Sequence, residues 1–305
     1  MENNYGDMGQ KRMNNINDIN NYPINALSPK TLLNGRYIIE SVMSFGGDKI
    51  TYKAWDSFED IWVGINEFFP YGIAVRIPYE KNVISYDQNN QKYDLMLKAF
   101  HKETYFFLEL KHECIMPNVV NHFEENNTSY RVIKLRDGIF LRTYLKQCGS
   151  RFDELEAINI CYKLLDVLSY IHHKDIIHNE ICPNNIYLIN DKDVNLLIDY
   201  YIAGKKGKTT TSLVNSGFSP FELYGSNSKR GEYSDIYAVG ATLYQMVTGI
   251  KPLDVVERVI KDELVEPKKL NPAISIKLNN IIIRAMELKP KKRYQSAQEM
   301  KNALV

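Results

Sequence analysis

The stretch Ile176–Tyr201, IIHNEICPNNIYLINDKDVNLLIDYY, constrains this chain more than any other. It reads as a polar loop between apolar arms. Ile176-Ile177 leads in, His178-Asn179-Glu180 follows, and Pro183 with two asparagines turns the chain. Ile186–Ile189 makes one short strand and Asn195–Ile198 the other, joined by Asn190–Asp193. Asp199 ends the second strand. A carboxylate (Glu180), an amide (Asn185) and a second carboxylate (Asp199) therefore gather near one end of a hairpin. Hard oxygen ligands converging on one point suit Mg²⁺ and the phosphates it bridges. The blander reading is a polar loop beside a buried hairpin, and the flanking sequence decides between the two.

At 305 residues the chain can bury a real core, as one large domain or as two lobes. Apolar residues at 44% and charged residues at 25% are ordinary for a globular protein. A net charge of +1 gives no field that would favour nucleic acid or an anionic membrane. Cys114, Cys148, Cys161 and Cys182 show no metal-ligand spacing and read as buried thiols in a reducing compartment. No apolar run reaches the length of a membrane span, and the N-terminus has no signal-peptide core. The expectation is a cytoplasmic protein without a membrane span.

Residues 1–34 are rich in asparagine and poor in large apolar groups, which predicts a flexible tail, with a docking segment around Tyr22–Leu27 as the alternative. Order begins at Gly35. Tyr37–Met43 alternates as a strand, Ser44–Lys49 turns, and Ile50–Trp55 and Ile61–Phe68 make two further strands. A helix covers roughly Tyr93–Leu110. Asn118–Glu125 and Thr128–Leu135 form a hairpin turned at Glu125-Asn126-Asn127. From Phe140 the pattern is mostly helical. In Glu154–His173, Ile158, Cys161, Leu164, Leu165, Leu168 and Ile171 recur at three- and four-residue steps. Strands first and helices after make an α+β fold.

The opening stretch resembles the catalytic and magnesium loops of protein kinases, H-R-D-x-x-x-x-N followed by D-F-G. Other segments resemble the same family in the same order. Ser44-Phe45-Gly46-Gly47-Asp48-Lys49 is similar to the glycine-rich loop, with Gly46 at its middle glycine. Val63-Gly64-Ile65-Asn66 stands where V-A-I-K is usual, and Glu67-Phe68-Phe69-Pro70 fits a bacterial subgroup that reads K-E-F-F-P. Glu103 matches the glutamate of helix C, Ile133 the gatekeeper, and Lys134-Leu135 the hinge that meets adenine. Leu188 joins the implied nucleotide-binding set. Gly217–Glu222 resembles the end of an activation segment, Asp235 would cap backbone amides of the catalytic loop, and Arg293 would pair with Glu222. The resemblance implies a bilobal kinase fold: an antiparallel β-sheet lobe with helix C over 35–137, and a mainly helical lobe over 138–305.

The departures bear on function. Asn185 and Asp199 match the two magnesium ligands, so the resemblance implies that Mg²⁺ and ATP still bind. Asn66 cannot supply the phosphate cation or pair with Glu103. Lys49 occupies the third glycine position, where with-no-lysine kinases place a substitute lysine. Glu180 replaces the catalytic aspartate, and a carboxylate displaced by about 1 Å can cost on the order of 10²-fold in rate. Asn179 replaces the arginine that holds a phosphorylated activation loop. Cys182 stands where many kinases use lysine and this subgroup often has serine. Tyr200 can fill the phenylalanine position of D-F-G, but Tyr201 removes its glycine. Lys205, Lys206 and Lys208 beside Thr209–Ser212 form either a phosphorylation target or a solvated loop. Loss concentrated on chemistry, with the scaffold kept, is the pattern of a pseudokinase that acts through an unidentified protein partner. The alternative is an active, atypical serine/threonine kinase using Lys49.

Overall fold

The computed structural model describes residues 23–86, 90–147, 151–189, 193–199, 203–205, 214–225 and 228–305. They belong to two units, Met1–His101 with Asn121–Val132, and Lys102–Val120 with Ile133–Val305.

The first unit is built on strands β1 (Leu32–Leu33), β2 (Tyr37–Gly46), β3 (Lys49–Asp56) and β4 (Ile61–Phe68). Two short strands follow, β5 (Ala74–Arg76) and β6 (Val83–Ser85), and then helix α1 (Asn90–Glu109). After β7 (Ile115–Met116), which belongs to the second unit, come β8 (Val119–Glu125) and β9 (Thr128–Lys134). The main sheet runs β1-β2-β3-β4-β9-β8. Alternation along β3 buries Ile50, Tyr52 and Ala54 on one face and leaves Lys49, Thr51 and Lys53 on the other. Tyr37, Phe123 and Tyr130 stack in the core, at 5.7 and 5.0 Å between ring centroids. Phe68 meets Tyr93 and Phe100 of α1 at 5.2 and 5.5 Å.

Two expectations are corrected in this unit. The six-residue turn of the β2–β3 hairpin shrinks to Gly47-Asp48, because Gly46 pairs with Lys49 across the ladder. Gly46 and Gly47 take φ of +144° and +63°, which glycine reaches without a Cβ penalty. Residues 23–34 are not a loose tail. Leu27 and Leu33 are buried in the unit's core, and the Leu27 amide donates to the Tyr52 hydroxyl. These two side chains, the pairing of β1 with β2 and the bond from Arg76 to the Asn25 carbonyl dock a segment whose composition otherwise reads as disordered. Residues 1–22 lie outside the described residues.

The second unit holds β10 (Gly138–Phe140), α2 (Leu141–Gln147), α3 (Glu154–His172), β11 (Ile176–Ile177), β12 (Ile186–Ile189), β13 (Asp193–Leu197) and β14 (Gly204–Lys205). Helices α4 (Glu232–Thr248), α5 (Val255–Ile260), α6 (Pro267–Leu270), α7 (Ile276–Ala285) and α8 (Ala297–Leu304) complete it. Asp153 caps α3 by accepting from the Glu156 amide, and Gly249 ends α4 at φ +75°. Both faces of α4 are buried, and α3, α7 and α8 pack around it. The expected hairpin is β12–β13, with Ile186 opposite Leu196. Its second arm begins at Asp193 rather than Asn195 and ends one residue before Ile198. Ile176 and Ile177 pair instead with Lys205 and Gly204. Among the described residues no helix is long and apolar enough to cross a membrane.

Candidate active site

The loop between β11 and β12 is shaped by its main chain. Asp235, in the first turn of α4, accepts from the His178 amide at 2.8 Å and from the Asn179 amide at 2.9 Å. The same carboxylate accepts from His172 Nε2, at the end of α3, at 2.8 Å. All four residues are buried. Burial pushes the His172 imidazole down, but hydrogen bonds to Asp235 and Glu232 push it up further, to about 9. Both partners thus favour the charged imidazolium. Asn179 sits at φ +64°, a left-handed conformation that asparagine tolerates better than most residues. The His178 ring joins the loop to the hairpin: Nδ1 accepts from the Glu180 amide at 3.1 Å and Nε2 donates to the Leu197 carbonyl at 2.9 Å. Burial holds this imidazole below the usual histidine range, in keeping with a neutral ring.

On that frame stand the predicted oxygen groups. Glu180 is half-buried, and Asn215 Nδ2 donates to its Oε1 at 3.2 Å. Burial raises the Glu180 carboxyl above the ordinary range, the bond from Asn215 lowers it, the charge of Asp199 raises it again, and a bond from Asn185 lowers it. The Asn185 amide nitrogen donates to the Glu180 carbonyl at 2.8 Å. Its nitrogen is thus committed to Glu180, and its amide oxygen is the atom a cation would meet. Asp199 is exposed, and its carbonyl accepts from the Ala203 amide at 2.8 Å. One carboxylate and one amide oxygen are few ligands for Ca²⁺. They fit Mg²⁺, which keeps several waters and takes phosphate oxygens.

Beside the loop lies a cleft of about 450 Å³. Asn184, Asn215 and Phe218 form part of its wall, and Arg142, Lys146 and Lys251 make it basic. Cys182 borders the cleft but is itself buried, and that burial pushes its thiol up to about 11, which disfavours the thiolate. Cys161 is likewise buried, whereas Cys114 is half-buried, against the expectation for it; Cys148 lies outside the described residues. The expected buried pair forms: Arg293 Nη1 donates to Glu222 Oε1 at 2.6 Å, and Ser234 Oγ donates to the same oxygen at 2.9 Å. Leu188 is buried in the core of the second unit, and Leu135 is half-buried. Lys134 is exposed and its amide donates to the Asn118 carbonyl. Glu103 is half-buried on α1. Tyr200, Tyr201, Lys206, Lys208 and Thr209–Ser212 lie outside the described residues.

In the first unit Asn66 is buried, donating to Thr51 Oγ1 at 2.8 Å and accepting from Arg131 Nε at 3.3 Å. Arg131 is 2% exposed and lies over the Phe100 ring at 4.7 Å. A buried guanidinium therefore stands where the strand lysine is missing. Sequence reasoning passed over it. The available signal was an arginine two residues before Ile133, between Tyr130 and Val132 of a buried strand. Half-buried Lys49 pairs with Phe68 in the ladder and shares a sheet face with Thr51, the cross-strand partner of Asn66. Asn215 and His172 were missed too.

A model of the protein kinase domain matches residues 80–305, and the chain belongs to that family. It is 29% identical over 282 residues to a probable serine/threonine-protein kinase of Clostridium perfringens, covering 88% of this chain and 38% of the relative. It is 26% identical to serine/threonine-protein kinase PrkC of Bacillus subtilis, covering 88% of this chain and 40% of that one. The chain thus spans about two fifths of the length of these curated relatives. Among solved structures it is similar to the apo form of PpkA-294, at a TM-score of 0.73 and 25% identity, covering 92% of this chain and 100% of that one. The α+β kinase fold expected from sequence is the fold of this chain.

Proposed function

We propose that this chain binds Mg-ATP in the cytoplasm, has weak or no phosphoryl-transfer activity, and works as a nucleotide-responsive module that engages a protein partner. The observation that carries this reading is the contrast within one loop. Its backbone is held by Asp235 as a catalytic loop needs, and Asn185 and Asp199 retain the oxygen atoms for Mg²⁺. The carboxylate that should orient an acceptor hydroxyl is instead the longer Glu180, tied to Asn215 and biased toward its protonated form by burial. Bound Mg²⁺ would neutralise phosphate charge and bridge phosphate oxygens. By the family resemblance Lys49, on the β2–β3 hairpin, is the candidate phosphate cation, and Arg131 is buried beside Asn66. The basic cleft beside the loop favours a partner segment rich in acidic groups.

The second reading is an active, atypical serine/threonine kinase, favoured by the position of Lys49 on the Asn66 face of the sheet. Thermal melts with and without ATP and Mg²⁺, on the parent, Lys49→Ala and Arg131→Ala, test the binding reading. Ligand at a hundredfold excess over Kd stabilises by about 2.7 kcal/mol. In a protein of this size that is a shift of about 4 °C. The shift is expected in the parent and reduced in Lys49→Ala; an unchanged shift in Lys49→Ala removes that lysine from the site. Transfer of labelled phosphate that survives a neutral surface change but is abolished by Asp199→Ala would replace the first reading with the second.

A further inference from the structure

Away from the loop, His101 on α1 and His122 and Glu124 on β8 bring three ligand atoms within 4.8 Å of one another. The three residues belong to one unit and have no part in the nucleotide reading. Residues 122 and 124 are two apart on a strand, so they share the sheet face opposite to Phe123, which is in the core. The two imidazoles meet edge to face, with centroids 6.0 Å apart and planes at 80°. His101 Nε2 lies 3.4 Å from Glu124 Oε1.

That spacing can be compared with a metal's demand. Ligands bound to tetrahedral Zn²⁺ at 2.0–2.1 Å sit about 3.3 Å from one another. The His101–Glu124 edge already has this length, and the remaining edges need to close by no more than about 1.5 Å. Glu124 is exposed and can supply that movement through its side-chain torsions. Two imidazole nitrogens with one carboxylate are the donor set of Zn²⁺ and its transition-metal neighbours, not of Mg²⁺ or Ca²⁺.

We propose that His101, His122 and Glu124 form a Zn²⁺-class site that cross-links α1 to β8, with water in the fourth position. The ion would fix the helix that also carries Glu103, two residues further on. The test uses the full chain stripped with EDTA and titrated with Co²⁺ as a spectroscopic stand-in, then with Zn²⁺. The expected result is one equivalent of Co²⁺ with a tetrahedral ligand-field spectrum, displaced by Zn²⁺, and a Zn²⁺-dependent rise in melting temperature. His101→Ala and His122→Ala should lose both signals, while His173→Ala, at an exposed histidine of the second unit, should keep them. Glu124→Gln alters an exposed side chain and should fold normally, weakening Co²⁺ binding by at least about tenfold. No Co²⁺ spectrum on the parent, or equal affinity in Glu124→Gln and in the folded histidine variants, would overturn the proposal.

Discussion

Glu180 is a carboxylate whose proton affinity is set by its neighbours. Burial favours the neutral acid, while the amides of Asn215 and Asn185 favour the ion. Any transfer activity that depends on ionised Glu180 should therefore rise with pH through a midpoint above the ordinary carboxylate range. Asn215→Ala removes a bond to the charged form and should move that midpoint higher. Glu180→Asp withdraws the carboxylate by one methylene toward the family's geometry, and an increase of about tenfold or more in phosphate transfer is expected if chain length is the main defect. No gain in a single-turnover assay would put the defect elsewhere. Glu180 itself was legible from its place in the loop motif. Asn215 was not, because it lies 35 residues away and its partner is found only once the chain has folded back.

At the scale of elements, one carboxylate joins three. Asp235 belongs to α4, His172 ends α3, and the amides of residues 178 and 179 open the loop. The folded pKa of His172, about 9, lies above its unfolded value of about 6.5. Its contribution to stability is therefore fully present below about pH 6.5 and is lost as pH rises through about 9. Denaturant unfolding at the two ends of that window should show a loss on the order of 2–3 kcal/mol in the parent. His172→Gln should flatten the dependence. The role of Asp235 was readable from the motif that opens α4. That of His172 was not, since a histidine at a helix end reads as an ordinary charge for the helix dipole. The long strands were found by alternation to within three residues, whereas the short strands β1, β5, β6 and β14 carry too few residues for an alternation and were not. The turn length of the β2–β3 hairpin was not, because pairing of Gly46 with Lys49 is a ladder property rather than a composition.

For the molecule as a whole, each unit has its own apolar core and its own buried ion pair. In the first, Glu67 pairs with Arg76 and accepts from the hydroxyls of Tyr52 and Tyr130 at 2.7 and 2.6 Å. This network gives the Glu67-Phe68-Phe69-Pro70 motif a structural reason. In the second, Glu222 pairs with Arg293. Removing one partner of a buried pair typically costs about 3–5 kcal/mol. Glu67→Ala and Glu222→Ala are each expected to fall in that range, measured by hydrogen exchange as a loss of protection in the variant's own unit. Equal loss in both units from either variant would mean that the chain unfolds as one.

Asp235 has a wider consequence. The loop between β11 and β12 is gripped by its peptide groups, and its polar side chains are mounted on that grip. Exchange of residues 179, 180 or 182 leaves the anchoring amides in place. Substitutions at the tip can therefore change which groups the loop presents while its backbone keeps one shape.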